Sequence, residues 1–148
     1  MLRVVYRATD DLAGGAFSDW REDRGLVEIS VARDARPHQF IPSLNRTLAD
    51  FLSRAEWYQI WEGEVISAKS PGSPLSCTFE LSRLRPAPLL DICEDKGLVA
   101  LHISPLASVD VLVNAINPAI EEFLAGGCWF QLWRGEIVTM DSPEIVPA

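Results

Sequence analysis

Trp57-Tyr58-Gln59-Ile60-Trp61-Glu62-Gly63-Glu64-Val65-Ile66-Ser67-Ala68-Lys69-Ser70-Pro71 is written a second time, 72 residues later, as Trp129 to Pro143. The same offset carries Glu22-Asp23-Arg24-Gly25-Leu26-Val27 onto Glu94-Asp95-Lys96-Gly97-Leu98-Val99, and Phe51-Leu52 onto Phe123-Leu124. Aligning 1–76 with 73–148 without a gap makes 18 of 76 pairs identical. Two copies are too few for a solenoid, so the expected arrangement is two like units facing each other about a pseudo-two-fold axis.

At 148 residues with 48% apolar side chains the chain can bury a real core, whereas each 72-residue half alone would be marginal. The expectation is therefore a single domain, 1–148, built of repeats 1–72 and 73–148 and joined by the Ser/Pro/Gly linker at 70–74. A net charge of −8 argues against binding a nucleic-acid backbone, which is neutralised by Lys and Arg. The charge is uneven: 9 basic and 11 acidic residues in 1–72 give −2, and 4 against 10 in 73–148 give −6. Cys77, Cys93 and Cys128 all fall in the second half, where an odd count without shared spacing reads as free thiols in a reducing compartment. The N-terminal run has charges within it and no small-residue cleavage site, and no apolar run reaches bilayer length, so the expected setting is cytoplasmic and off the membrane.

Leu2 to Thr9 reads as a strand with Ser76 to Leu84 as its counterpart, and Phe17 to Asp23 and Leu89 to Asp95 as short acidic helical segments ending at Gly25 and Gly97. Leu26 to Ala32 and Leu98 to Ser104 read as strands. Phe40, Leu44, Leu48, Phe51 and Leu52 make a helical stripe, repeated by Leu112, Ile116, Ile120, Phe123 and Leu124. Pro37 suits the first helical position and Ser108 an N-cap; Pro42 and Pro118 predict a kink or a later start, with Asn117 as cap. Gly126-Gly127 closes the second helix, and Glu62-Gly63 and Arg134-Gly135 are the tight turns of the Trp hairpins. The expected fold is α/β of the α+β type, an internal duplication of a β-(short α)-β-α-β-β unit. Alternation puts Tyr58, Ile60 and Val65 on one hairpin face and Trp57, Trp61 and Ile66 on the other; both are apolar, so both require a cover.

The sharpest candidate site is the repeated face Trp57, Gln59, Trp61 and Glu64 with Trp129, Gln131, Trp133 and Glu136. Indoles beside an amide and a carboxylate suit stacking on a ligand or partner; the competing and preferred reading is a joint core between the halves. His38 and His102 are not at matching positions, so the tandem metal site of paired modules is not expected, although His102 facing Glu28 in a pocket would make a base. The matched carboxylates Asp19/Asp91, Glu22/Glu94 and Asp23/Asp95 read as solvated turns rather than cation ligands. No Cys has a His beside it in sequence, and acidic neighbours would raise the Cys93 thiol. No catalytic residue, metal or cofactor is assigned. The expected function is a non-enzymatic binding protein, inhibitor- or immunity-like in size and charge, whose partner is another protein, in particular a basic one, bound through the Trp face or an acidic surface including Glu121 and Glu122. It would be a monomer of pseudo-dimer symmetry or a homodimer. The alternative is a small-molecule binder or enzyme with a pocket between the repeats lined by Glu28 and His102.

Overall fold

The computed structural model describes residues 2–69 and 75–140, so the expected linker at 70–74 and the carboxylates of Asp141 and Glu144 lie outside the described residues. The chain runs β1 (Arg3–Thr9), β2 (Ser18–Asp23), β3 (Leu26–Ala32), α1 (Pro37–Arg54), β4 (Trp57–Trp61) and β5 (Glu64–Ser67). It continues as β6 (Ser76–Leu81), β7 (Leu90–Asp95), β8 (Leu98–Ile103), α2 (Val109–Gly126), β9 (Trp129–Trp133) and β10 (Glu136–Thr139). This is an α+β fold with three sheets, ordered β1-β3-β2, β10-β9-β4-β5 and β6-β8-β7. The first and third are mixed: β1 and β6 lie parallel to β3 and β8, whereas β2 and β7 run antiparallel to them.

The helices form where the apolar stripes were expected. Phe40, Leu44, Leu48, Phe51 and Leu52 are buried on α1, as are Leu112, Ile116, Ile120 and Leu124 on α2. Pro37 opens α1, and the Ser108 hydroxyl caps α2 by accepting from Val111 N at 3.3 Å. The later start expected at the prolines does not occur, and both 18-residue helices run through Pro42 and Pro118. An internal proline costs about 3 kcal/mol, which the burial of four or five large side chains per helix, at about 1.5–3 kcal/mol each, offsets. Asn117 is no cap; it lies inside α2 and serves the neighbouring sheet. No helix among the described residues is long and apolar enough to cross a membrane.

Two further expectations are corrected. The acidic segments expected as short helices are the strands β2 and β7, so the observed order is β-β-β-α-β-β, twice. In β2 the inward positions are Ser18, Trp20 and Glu22, and each finds a distant partner. Ser18 Oγ meets Ser43 Oγ and Thr47 Oγ1 at 2.6 Å, Trp20 Nε1 donates to Asp50 at 2.9 Å, and Glu22 accepts from Gln131. Polar residues on the buried side hide the period of two that marks a strand. The gapless offset also slips in the first strand. Tyr6 pairs with Ile29, and Phe79 with Leu101, so Tyr6 corresponds to Phe79 rather than to Thr78. A one-residue slip exchanges the two faces of a strand, and only this register turns both aromatic rings inward, where they meet edge to face at 5.9 Å.

The two runs are joined by more than the chain. In the four-stranded sheet β4 pairs with β9, Trp57 opposite Gln131 and Gln59 opposite Trp129. Asn45 of α1 bonds both backbone groups of Phe79 on β6, and Asn117 of α2 those of Tyr6 on β1. β1 and β6 are edge strands, so these amides satisfy groups that would otherwise be left open.

Candidate functional site

The Trp-x-Gln-x-Trp residues face inward, and their polar atoms clamp one hairpin to the opposite three-stranded sheet. Gln59 Oε1 accepts from Gly97 N at 3.2 Å and its Nε2 donates to Glu94; Gln131 Oε1 accepts from Gly25 N at 2.8 Å and its Nε2 donates to Glu22. Gly25 and Gly97 have φ of 74° and 71°, the left-handed region that favours glycine, and their N–H groups meet the amides there. Glu64 pairs with Lys96, and Glu136 with Arg24 at 2.7 Å. All four are exposed or partly exposed, so each pair adds little stability and serves mainly to keep the turns in register.

Trp57 and Trp129 are buried at 3% and 7% exposure, and Gln59 and Gln131 at 2% and 0%. Trp57 packs edge to face on Phe51 at 5.4 Å, and Trp129 packs on Phe123 at 5.6 Å. Trp61 and Trp133 are half-buried, and Arg134 lies 5.5 Å from the Trp133 ring. The indole N–H of Trp57 turns towards Glu22 closely enough to stabilise its ionised form but outside hydrogen-bonding geometry, and that of Trp129 has no hydrogen-bond partner among the described residues. Burial raises the carboxyl of Glu22 above its ordinary value, against the opposing pull of the nearby Trp57 indole and of the Gln131 donor; burial likewise raises Glu94, against Gln59. A ligand arriving from solvent meets none of the four buried groups. The cavity that Trp57 and Trp129 help enclose with Tyr6 and Phe51 has about 60 Å³, far below the size of a drug-like ligand site.

Glu28 and His102, expected to share a pocket, lie in different sheets. On the outer face of β1-β3-β2, Glu28 bridges Arg7 at 3.6 Å and Arg21 at 3.4 Å. On the outer face of β6-β8-β7, His102 meets Glu80 at 3.0 Å through Nε2 and Cys93 Sγ at 3.8 Å through Nδ1. His38 is exposed near the start of α1. Glu121 and Glu122 are both exposed on α2.

An accessible apolar surface lies on the other side of the hairpins. Alternation places Tyr58, Ile60 and Val65 with Phe130, Leu132 and Ile137 on the outside of β10-β9-β4-β5, together with Thr139 and with Ser67, which is itself buried. Tyr58 and Phe130 stack at 5.0 Å with their planes 13° apart. Ile60, Val65 and Ile137 are 43%, 56% and 65% exposed, and none of the eight positions is charged. The face continues as a groove past Met140 to Ala125 and Gly127 at the end of α2. Glu121 and Glu122 stand one turn earlier on that helix, and Glu121 itself lies beside Met140. The hairpin turns that shape this sheet, Glu62-Gly63 and Arg134-Gly135, have positive φ at both residues as a type I′ turn requires. No family model, curated protein or solved structure matches the chain.

Proposed function

We propose that the protein is a non-enzymatic cytoplasmic interaction protein whose partner is another protein carrying an apolar segment flanked by Lys or Arg. The observation that carries this reading is the uncharged apolar outer face of β10-β9-β4-β5, with three aliphatic side chains 43–65% exposed in a chain of net charge −8. An aliphatic and aromatic sheet face left to water is a recognition surface or an aggregation hazard. The carboxylates of Glu121 and Glu122 beside the groove favour a basic segment and would steer its approach. The docking face is thus the reverse side of the Trp hairpins.

We also read the two runs of β-β-β-α-β-β as a duplication packed about a pseudo-two-fold axis within one domain, 1–148. The 18 identities support it, as do the reciprocal bonds of Asn45 and Asn117, Gln59 and Gln131, and Glu64 and Glu136. The docking face then takes equivalent residues from both repeats: Tyr58 with Phe130, Ile60 with Leu132, and Val65 with Ile137.

The test is binding of a synthetic Leu/Lys amphipathic peptide, followed by association kinetics at low and high salt. Wild-type protein should bind it, Val65→Ser with Ile137→Ser should weaken binding at both salts, and Glu121→Lys with Glu122→Lys should slow association at low salt alone. Binding that neither double variant changes would overturn the reading. So would a dimer in sedimentation that Val65→Ser with Ile137→Ser dissolves, because a second copy would then cover the face.

A further inference from the structure

The repeats differ on the outer faces of their three-stranded sheets. In the first, Arg7, Arg21 and Glu28 form ion pairs. In the second, register brings a different set together: Asp91 of β7 lies opposite His102 of β8, Glu80 of β6 lies opposite His102 from the other side, and Cys93 follows Asp91 by two residues on the same face. The donor atoms converge. Cys93 Sγ is 3.7 Å from Asp91 Oδ2 and 3.8 Å from His102 Nδ1, and one ligand atom from each of the three lies within 4.8 Å of the others.

We propose that Asp91, Cys93 and His102 form a binding site for a zinc-class divalent cation, with Glu80 positioning the imidazole. Three features support it. Zinc bonds of about 2.0–2.3 Å in tetrahedral geometry require ligand atoms about 3.3–3.8 Å apart, and the two thiol separations fall in that range. The Glu80 carboxylate lies 3.0 Å from His102 Nε2. A carboxylate accepts only, so Nε2 carries the proton and Nδ1 presents its lone pair towards Cys93 and Asp91, the carboxylate–histidine arrangement common at metal ligands. The donor set is one nitrogen, one sulfur and one oxygen, which suits zinc and not magnesium or calcium.

On binding, the Cys93 thiol gives its proton to solvent, and the thiolate and the Asp91 carboxylate together balance the two charges of the ion. Three protein ligands leave the fourth tetrahedral place to water. A nucleophilic thiol is a poorer reading of the same residues. Loss of hydration and the carboxylates of Asp91 and Glu80 push the Cys93 thiol up, and the cluster lies on an open sheet face where Asp91 and Cys93 are exposed. A cation reverses that disadvantage, since it attracts the carboxylates and displaces the thiol proton.

Co2+ added to the 148-residue chain is the direct test, because a tetrahedral thiolate site gives a sulfur-to-cobalt charge-transfer band and intense visible d–d bands. One equivalent should produce both, Zn2+ should abolish them by displacement, and excess Mg2+ should leave them unchanged. Cys93→Ser should remove the charge-transfer band, whereas Cys77→Ser with Cys128→Ser should retain it. By competition, His102→Gln and Asp91→Asn should weaken Zn2+ binding more than tenfold. Glu80→Gln should weaken it about tenfold while leaving the metal-free unfolding midpoint unchanged, which separates positioning from support of the fold. All four residues lie on the outer sheet face, and the far-ultraviolet circular dichroism of each variant reports whether it is folded. Absence of the bands in wild-type protein, their survival in Cys93→Ser, or displacement by Mg2+ would overturn the proposal.

Discussion

Asn117 binds Tyr6 at both backbone atoms, Nδ2 donating to the carbonyl at 3.0 Å and Oδ1 accepting from the N–H at 2.8 Å, so a residue inside α2 completes the open edge of β1. Asn45 does the same for Phe79 at 3.1 and 2.6 Å. Asn117→Ala should cost about 1–3 kcal/mol, because two part-buried backbone groups lose their partner. Urea unfolding with an unchanged m-value is the measurement. A loss below about 0.5 kcal/mol would mean that water replaces the amide without penalty.

Adjacent glycines should behave oppositely. A Cβ on Gly127 would come within 2.6 Å of Trp129 Cδ1, and that ring is buried, so Gly127→Ala should cost about 1–3 kcal/mol by overpacking. Nothing lies within 4 Å of a Cβ on Gly126, the last residue of α2. Gly126→Ala should be neutral or stabilise by up to about 1 kcal/mol, through helix propensity. Thermal unfolding of the two variants side by side decides it, and equal effects would contradict the packing.

Glu22 and Glu94 should make stability fall as pH rises. Burial raises both carboxyls in the folded protein, so folding favours their protonated forms. The folded state then holds more protons than the unfolded state between the ordinary carboxylate value and the raised ones, and stability declines as pH climbs through that window. Glu22→Gln with Glu94→Gln should flatten the slope there while keeping acceptors for Gln131 and Gln59. An unchanged slope in unfolding midpoints would show that neither carboxylate is linked to folding.

The three thiols should separate kinetically. Burial pushes Cys77 up to about 12, whereas Cys93 and Cys128 are exposed. A maleimide should label Cys128 first. Cys93 should follow more slowly because desolvation and the carboxylates of Asp91 and Glu80 raise its pKa, and Cys77 should react only on unfolding. Peptide mapping gives the order, and rapid labelling of Cys77 in the native protein would contradict its packing against the core.

Features written in local sequence were legible without the structure. The helical stripes, the Ser108 cap and the two hairpin turns depend on residues a few places apart, and each lies where expected. The Trp repeat also carried the buried role of Trp57 and Trp129, since an indole flanked by apolar residues is costly to leave in water.

Tertiary structure alone decided the rest, because those features are set by pairing across the chain. β2 and β7 are strands although their inward positions are partly polar: Ser43, Thr47, Asp50 and the two hairpin glutamines arrive from elsewhere to satisfy them. The first-strand slip follows from which register turns Tyr6 and Phe79 towards each other. Comparing the repeats position by position hid the cation site, since Cys93 aligns with Arg21 and His102 with Ser30. His102 lies 9 residues from Cys93 and 22 from the positioning Glu80, and these meet only because β6, β8 and β7 lie side by side, where the sheet, not the sequence spacing, sets the distances.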